Sequence, residues 1–194
     1  MFDIILASKS KVRLDILNKN NVVCSAKPSN VDEDEIKISM LKDGASPKDV
    51  SKNLAEIKAN KVSQNYLDKI VIGADSVIDL ENEIISKPKN RSEALEILRK
   101  LNGKTHFLIS SVCISKNGSM IWHYTDKAEL KMKTMTEDEL KLYLSKIEDE
   151  KLYAYNVYQI EGEGKNLFNS IKGDMDTIMG LPIKKIKEYL SNLK

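Results

Sequence analysis

The run Ile70-Val71-Ile72-Gly73-Ala74 constrains this chain more than any other stretch: every residue in it is apolar or small, and it leads straight into Asp75-Ser76-Val77-Ile78-Asp79. It reads as a strand, after which Glu81-Asn82 turns the chain into Ile84-Ile85 as a hairpin. Shorter strands are predicted over residues 2–6, 22–25, 157–160 and 177–179, and a second hairpin joins 106–115 to 119–133 across Asn117-Gly118. Apolar residues at helical spacing predict helices over 11–20, 46–64, 92–101, 137–146 and 182–193. Two of these carry start signals: Pro47 behind Ser46, and the capping-box pattern from Thr136 to Glu139. Residues 28–38 are acidic and irregular, and Val31-Asp32-Glu33-Asp34-Glu35 reads as a loop. Strands spread among helices along the whole chain define an α/β class. Without repeats or low-complexity segments, residues 1–194 are expected to form a single domain of two closely joined lobes.

Composition removes several function classes. The 31 basic and 29 acidic residues leave a net charge of +2, and aromatic residues make up 6% of the chain, so no nucleic-acid partner is expected. Cys24 and Cys113 match no metal-ligand spacing and read as reduced, partly buried thiols. The first residues lack a basic segment, and the unbroken apolar stretch Ile4 to Ala7 is too short for a signal peptide or a membrane span. The expectation is a soluble, cytoplasmic protein with no membrane partner. With only His106 and His123 present, a histidine-led zinc site or triad has little material.

What remains is a set of carboxylates, hydroxyls and cations. Ala7-Ser8-Lys9-Ser10-Lys11-Val12-Arg13 places hydroxyls and positive charge where a strand turns into a helix. That is either a phosphate site at a helix N-terminus or a serine-capped helix with a solvated basic turn. Asp75 follows an apolar strand, where it can bind a cation or take a proton from water, or simply cap the strand end. The acidic loop around Glu33 can hold a hard cation, or be a solvated charge run. Lys87 in Ser86-Lys87-Pro88 is a constrained cation or an exposed one. Glu161-Gly162-Glu163-Gly164 is either a turn or a place where backbone meets a ligand. Together the set suits metal-assisted chemistry on a phosphate ester or anhydride.

The order of these signals resembles the Maf proteins, the septum-formation-inhibitor or nucleoside triphosphate pyrophosphatase family. Leu6 to Arg13 is similar to the family's Leu-Ala-Ser-x-Ser-Pro-Arg-Arg opening. The likeness continues through Val31-Asp32-Glu33, Leu54-Ala55-x-x-Lys58-Ala59, Gly73-Ala74-Asp75-Ser76-Val77 and Lys87-Pro88. It runs on through Glu93-Ala94 with Leu98, Leu101, Gly103 and His106, then Tyr158-Gln159-Ile160-Glu161-Gly162 and Gly180-Leu181-Pro182. The resemblance implies a long twisted mixed β-sheet with flanking helices, in two lobes around a cleft, as in the Maf and inosine-triphosphatase-type enzymes. It implies hydrolysis of a nucleoside triphosphate between the α and β phosphates with a divalent cation, Mg2+ or Mn2+, to clear modified nucleotides. A homodimer and a link to division arrest come with it.

By position, the resemblance makes Asp75 the general base and, with Glu33, the metal site. Ser8, Ser10, Arg13, Lys58, Ser76, Lys87 and Glu161 would hold the substrate. Three positions depart from the family pattern. Val12 replaces an arginine while Lys11 brings in a cation one residue earlier, and these are not equivalent because lysine offers no bidentate fork. Ser76 stands where many members have threonine. Glu161 stands where the subgroup acting on dTTP and UTP has glutamine, and an ionised Glu only accepts hydrogen bonds. The loss at Val12 keeps one rival in play, a nucleotide-sensing regulator of division that binds without turnover.

Overall fold

The computed structural model describes residues 3–154 and 156–193. In chain order the elements are β1 (Ile4–Leu6), α1 (Lys11–Lys19), β2 (Cys24–Ala26), α2 (Glu33–Lys42), α3 (Pro47–Ser63), β3 (Ile70–Leu80), β4 (Glu83–Ile85) and α4 (Arg91–Leu101). There follow β5 (Thr105–Lys116), β6 (Ser119–Met132), α5 (Glu137–Ser145), α6 (Asp149–Ala154), β7 (Phe168–Lys172), α7 (Met175–Ile178) and α8 (Ile183–Asn192). Among the described residues the strands make a seven-stranded mixed sheet in the order β2-β1-β3-β5-β6-β7, with β4 paired to β3. The chain divides into two compact units, one of Met1–Val77, Ile109–Lys127 and Asp174–Lys194, the other of Ile78–Leu108 and Ala128–Gly173.

In the first unit β1 pairs in parallel with both β2 and β3. Alternate strand residues face opposite ways, and the two faces are covered by different helices. Ile4, Leu6, Ile70, Ile72 and Ala74 pack with Ile16 and Leu17 of α1 and with Ile183 and Ile186 of α8. Ile5, Ala7 and Val71 pack instead with Val62 of α3. Val12 packs against the first of these clusters. The position that departs from the family arginine is therefore an apolar contact that seats α1 on the sheet.

α3 is secured at its start by a capping box: Ser46 Oγ accepts from the Asp49 N–H, and the Asp49 carboxylate accepts from the Ser46 N–H, with Pro47 opening the helix. Its inward face is set by Ser51, Ala55, Ala59 and Val62, all buried. At Gly73 that face meets β3 so closely that an added Cβ would stand 2.2 Å from the Ala55 carbonyl oxygen and 2.7 Å from the Ala59 nitrogen. Only glycine allows this approach.

In the second unit, Glu81 and Asn82 turn β3 into β4 with φ of 55° and 68°. β6 pairs antiparallel with β7 through Glu129 to Met132. α4 packs on α5, and α5 carries the expected capping box between Thr136 and Glu139. In the first unit, the predicted hairpin at Asn117-Gly118 is present, with both residues at positive φ.

Several expectations are corrected. Residues 31–35 are not a loop: Asp32 caps α2 by accepting from the Glu35 N–H, and Glu33, Asp34 and Glu35 occupy its first turn, where the helix dipole favours acids. The strand through residue 74 does not stop there but continues to Leu80, so Asp75 lies inside β3 and not at its end. Residues 157–160 form no strand; the pairing partner of β6 is β7 instead. Residues 177–179 fall in and after α7, capped by the Asp174 side chain. The second strand starts at Cys24, two residues later than expected, and Phe2, expected to open the first, lies outside the described residues.

Candidate active site

Because Gly73 and Asp75 are two apart on one strand, they share a face, and the close approach at Gly73 delivers α3 to Asp75. Ser51 Oγ donates to the Asp75 carbonyl oxygen at 3.1 Å. One helical turn beyond Ala55, Lys58 reaches in. Its Nζ donates to Asp75 Oδ1 at 2.7 Å and lies 2.9 Å from Glu33 Oε1. Lys58 and Asp75 are buried, 5% and 4% exposed, while the Glu33 side chain is 43% exposed. The Lys58 ammonium thus bridges a buried carboxylate and a half-exposed one. Burial alone would raise the Glu33 pKa, but the charge and hydrogen bond of Lys58 hold it below the ordinary carboxylate value. Asp75 Oδ2 is buried and accepts no hydrogen bond.

Ser76 faces the opposite way, towards α1. There Arg13 spreads its guanidinium over three acceptors: Nε donates to the Gly180 carbonyl at 2.9 Å, Nη1 to the Ala74 carbonyl at 3.0 Å, and Nη2 to Ser76 Oγ at 3.1 Å. Burial lowers the Arg13 pKa, against the opposing charges of Asp75 and Glu33. Ser8 Oγ accepts from the Ser10 N–H at 3.1 Å and lies 3.5 Å from Arg13 Nη1. Ser10 is the N-cap of α1, accepting from the Arg13 N–H at 3.3 Å. The serine-capped reading of this turn is the one realised at Ser10.

The structure therefore brings together Glu33, Lys58 and Asp75 on one face of β3, and Ser8, Ser10, Arg13 and Ser76 around its other face and the β1–α1 turn. Lys87 and Glu161 lie in the second unit, both exposed, and their substrate roles rest on the resemblance alone. Gly164 lies in a short 3-10 helix (Glu163–Leu167) packed so closely on residue 159 that a Cβ there would meet the Gln159 carbonyl oxygen at 2.6 Å. Sequence reasoning missed Ser51, Ser110 and Thr177. Ser110 carried a faint signal, a hydroxyl inside the apolar run of β5, where a buried polar group needs partners.

The donor set can be tested against the implied cation. Among the described residues no group of three or more His, Cys, Asp and Glu gathers as a metal cage. Two carboxylates already share one compact positive charge, and one buried oxygen, Asp75 Oδ2, has no partner. This fits Mg2+ or Mn2+, which take one or two carboxylates and complete their shell with water and substrate phosphates.

A seven-stranded α/β protein in which a lysine of α3 bridges a carboxylate inside the third strand and one on α2 is the class these observations define. The chain belongs to the Maf-like protein family, whose model matches residues 3–193. It is 67% identical over 192 residues to a nucleoside triphosphate pyrophosphatase of Pelagibacter ubique (strain HTCC1062), covering 99% of this chain and 98% of that protein. It is 37% identical over 190 residues to a 7-methyl-GTP pyrophosphatase of Rhizobium etli, covering 98% and 96%. A nucleoside triphosphate pyrophosphatase of Ruegeria sp. (strain TM1040) is 35% identical over 187 residues, covering 96% and 94%.

Proposed function

We propose that this chain is a nucleoside triphosphate pyrophosphatase, splitting its substrate between the α and β phosphates into a nucleoside monophosphate and pyrophosphate. The observation that carries the reading is Asp75: a carboxylate fixed through Oδ1 by Lys58 and left with a buried, unbonded Oδ2. Oδ2 would accept a proton from an attacking water, with the strand and Lys58 fixing its direction in advance. Attack at the α-phosphorus builds charge on phosphate oxygens. Ser8 has its acceptor side occupied and its proton available to such an oxygen, and Lys58 supplies a fixed positive charge beside the reacting groups. Glu33 and Asp75 would hold a divalent cation, which when bound would screen the triphosphate charge and polarise the scissile phosphate. The resemblance adds a cytoplasmic homodimer to this reading. Among the described residues no helix is long and apolar enough to cross a membrane.

The rival, a sensor that binds without turnover, drew its support from the missing arginine at position 12. Val12 packs in the apolar cluster of the first unit while Arg13 supplies a guanidinium at the strand, which speaks against that support. The test is a panel of ordinary and modified nucleoside triphosphates, 7-methyl-GTP among them, incubated with Mg2+, Mn2+ or chelator. Monophosphate and pyrophosphate are the expected products. Diphosphate and orthophosphate, or no product with any nucleotide, would overturn the reading.

A further inference from the structure

Ser76 continues into a chain of hydroxyls away from the reacting groups. Its Oγ lies 2.8 Å from Ser110 Oγ, and Ser110, fully buried, donates to the Thr177 carbonyl at 2.8 Å. Thr177 Oγ1 in turn donates to Asp126 Oδ2 at 2.7 Å, which fixes the carbonyl's own residue. A serine hydroxyl has one proton. The proton of Ser110 is committed to Thr177, so the bond between the two serines has Ser76 as its donor. Ser76 then has no proton left, and its remaining capacity accepts from Arg13 Nη2. Every direction in the chain is determined: Arg13 to Ser76, Ser76 to Ser110, Ser110 to Thr177.

We propose that Ser76 and Ser110 are positioning residues that aim the Arg13 guanidinium, and that Ser76 is not a phosphate ligand as its place in the family motif implies. A phosphate oxygen needs a donor, and the hydroxyl of Ser76 has none to offer. Arg13 itself is mostly spent on the protein. With Nε on Gly180, Nη1 shared between Ala74 and Ser8, and one Nη2 proton on Ser76, a single N–H remains, too few for a bidentate fork. Its part is a fixed charge and a strut between the strand bearing Asp75 and the turn after α7. Gly180 agrees with this: at φ +98° it lies over the pair, and a Cβ there would meet Ser76 Oγ at 3.1 Å and the guanidinium at 3.4 Å. The hydroxyls at this turn that only accept, and so keep a proton for substrate, are Ser8 and Ser10.

This proposal rests on the pyrophosphatase reading, and the test separates the two. Steady-state kinetics on the best nucleotide of the panel are measured for the wild type, Ser110→Ala, Ser76→Ala and Ser76→Thr. The expected result is a kcat loss of about five- to tenfold in both alanine variants, with KM within about twofold and recovery in Ser76→Thr. A silent Ser110→Ala, or a Ser76→Ala whose KM rises about tenfold at unchanged kcat, overturns it. The second arm needs no substrate. The Arg13 side-chain N–H signals are followed by 15N NMR below the melting temperature, and hindered rotation in the wild type should be lost in Ser110→Ala as well as in Ser76→Ala. Unchanged signals in Ser110→Ala would sink the relay even if the protein hydrolyses no nucleotide. A wild type without pyrophosphate release, but with these spectral changes, would sink only the pyrophosphatase reading.

Discussion

Two buried side-chain polar atoms lack a hydrogen-bond partner among the described residues, Asp75 Oδ2 in the first unit and His106 Nδ1 in the second. On burial alone they look alike. Their surroundings separate them. Asp75 sits against a lysine whose ammonium also touches Glu33, an environment built from opposed charges. His106 is fully buried, its Nε2 2.8 Å from the Tyr158 hydroxyl, with the Tyr158 and Phe168 rings each 5.7 Å from its own. Burial lowers the His106 pKa to about 4, so the ring is neutral near pH 7. An orphaned buried atom points to chemistry when its neighbours stabilise charge, and to packing when they remove it.

The comparison is broken most directly at Asp75. Asp75→Asn keeps the shape and the contact to Lys58 but removes the carboxylate oxygen that would take the proton. Turnover should fall by about 10²–10⁴-fold, the usual scale of a general base. Pyrophosphate release measured on the purified variant decides it, and near-wild-type turnover would remove Asp75 from its role. Next in size is Lys58→Met, which strips a buried carboxylate of its cation. A loss of about 3–5 kcal/mol in unfolding free energy is expected from urea titration. Lys58→Met combined with Asp75→Asn should recover most of that loss, because the uncompensated charge is gone. Equal losses in the single and double variants would show that Lys58 contributes packing and not charge pairing.

How much of this was legible in the sequence follows the same physics. The elements read correctly were those with local signals: the Ser46-Pro47 helix start, the Asn117-Gly118 turn, and the unbroken apolar runs of β1 and the start of β3. α2 escaped because it buries no residue, leaves Ile38 56% exposed, and owes its start to one capping carboxylate, so no apolar period marks it. Asp75 and Lys58 were found, but not their geometry. Lys58 was named only by its place in a motif, and only the approach at Gly73 shows that it is inside. Ser76 was assigned by its place in a motif. Which way its proton points depends on Ser110 and Thr177, far away along the chain, and no local pattern carries that.

The smallest effect on activity belongs to His106, and it tests the other half of the comparison. Its folded pKa of about 4 lies below the ordinary 6.5. Between those values the unfolded chain binds a proton that the folded one refuses, so stability rises with pH across that window. The contribution is complete above pH 6.5 and is lost as pH falls towards 4. At about 1.4 kcal/mol per pH unit, a gap of this width is worth at most about 3.5 kcal/mol. His106→Phe keeps the ring packing but cannot titrate, and it leaves the Tyr158 hydroxyl without its partner at a roughly pH-independent cost of about 1–3 kcal/mol. Urea titrations across the window should therefore show a shallower pH slope in the variant than in the wild type, carboxylate titrations being common to both. Pyrophosphate release at neutral pH should stay within about twofold, as for an ordinary packing position. An unchanged slope would mean that the ring is not held neutral by burial. A turnover loss on the scale of Asp75→Asn would mean that both orphaned atoms belong to the chemistry, and that charge in the surroundings is not what tells them apart.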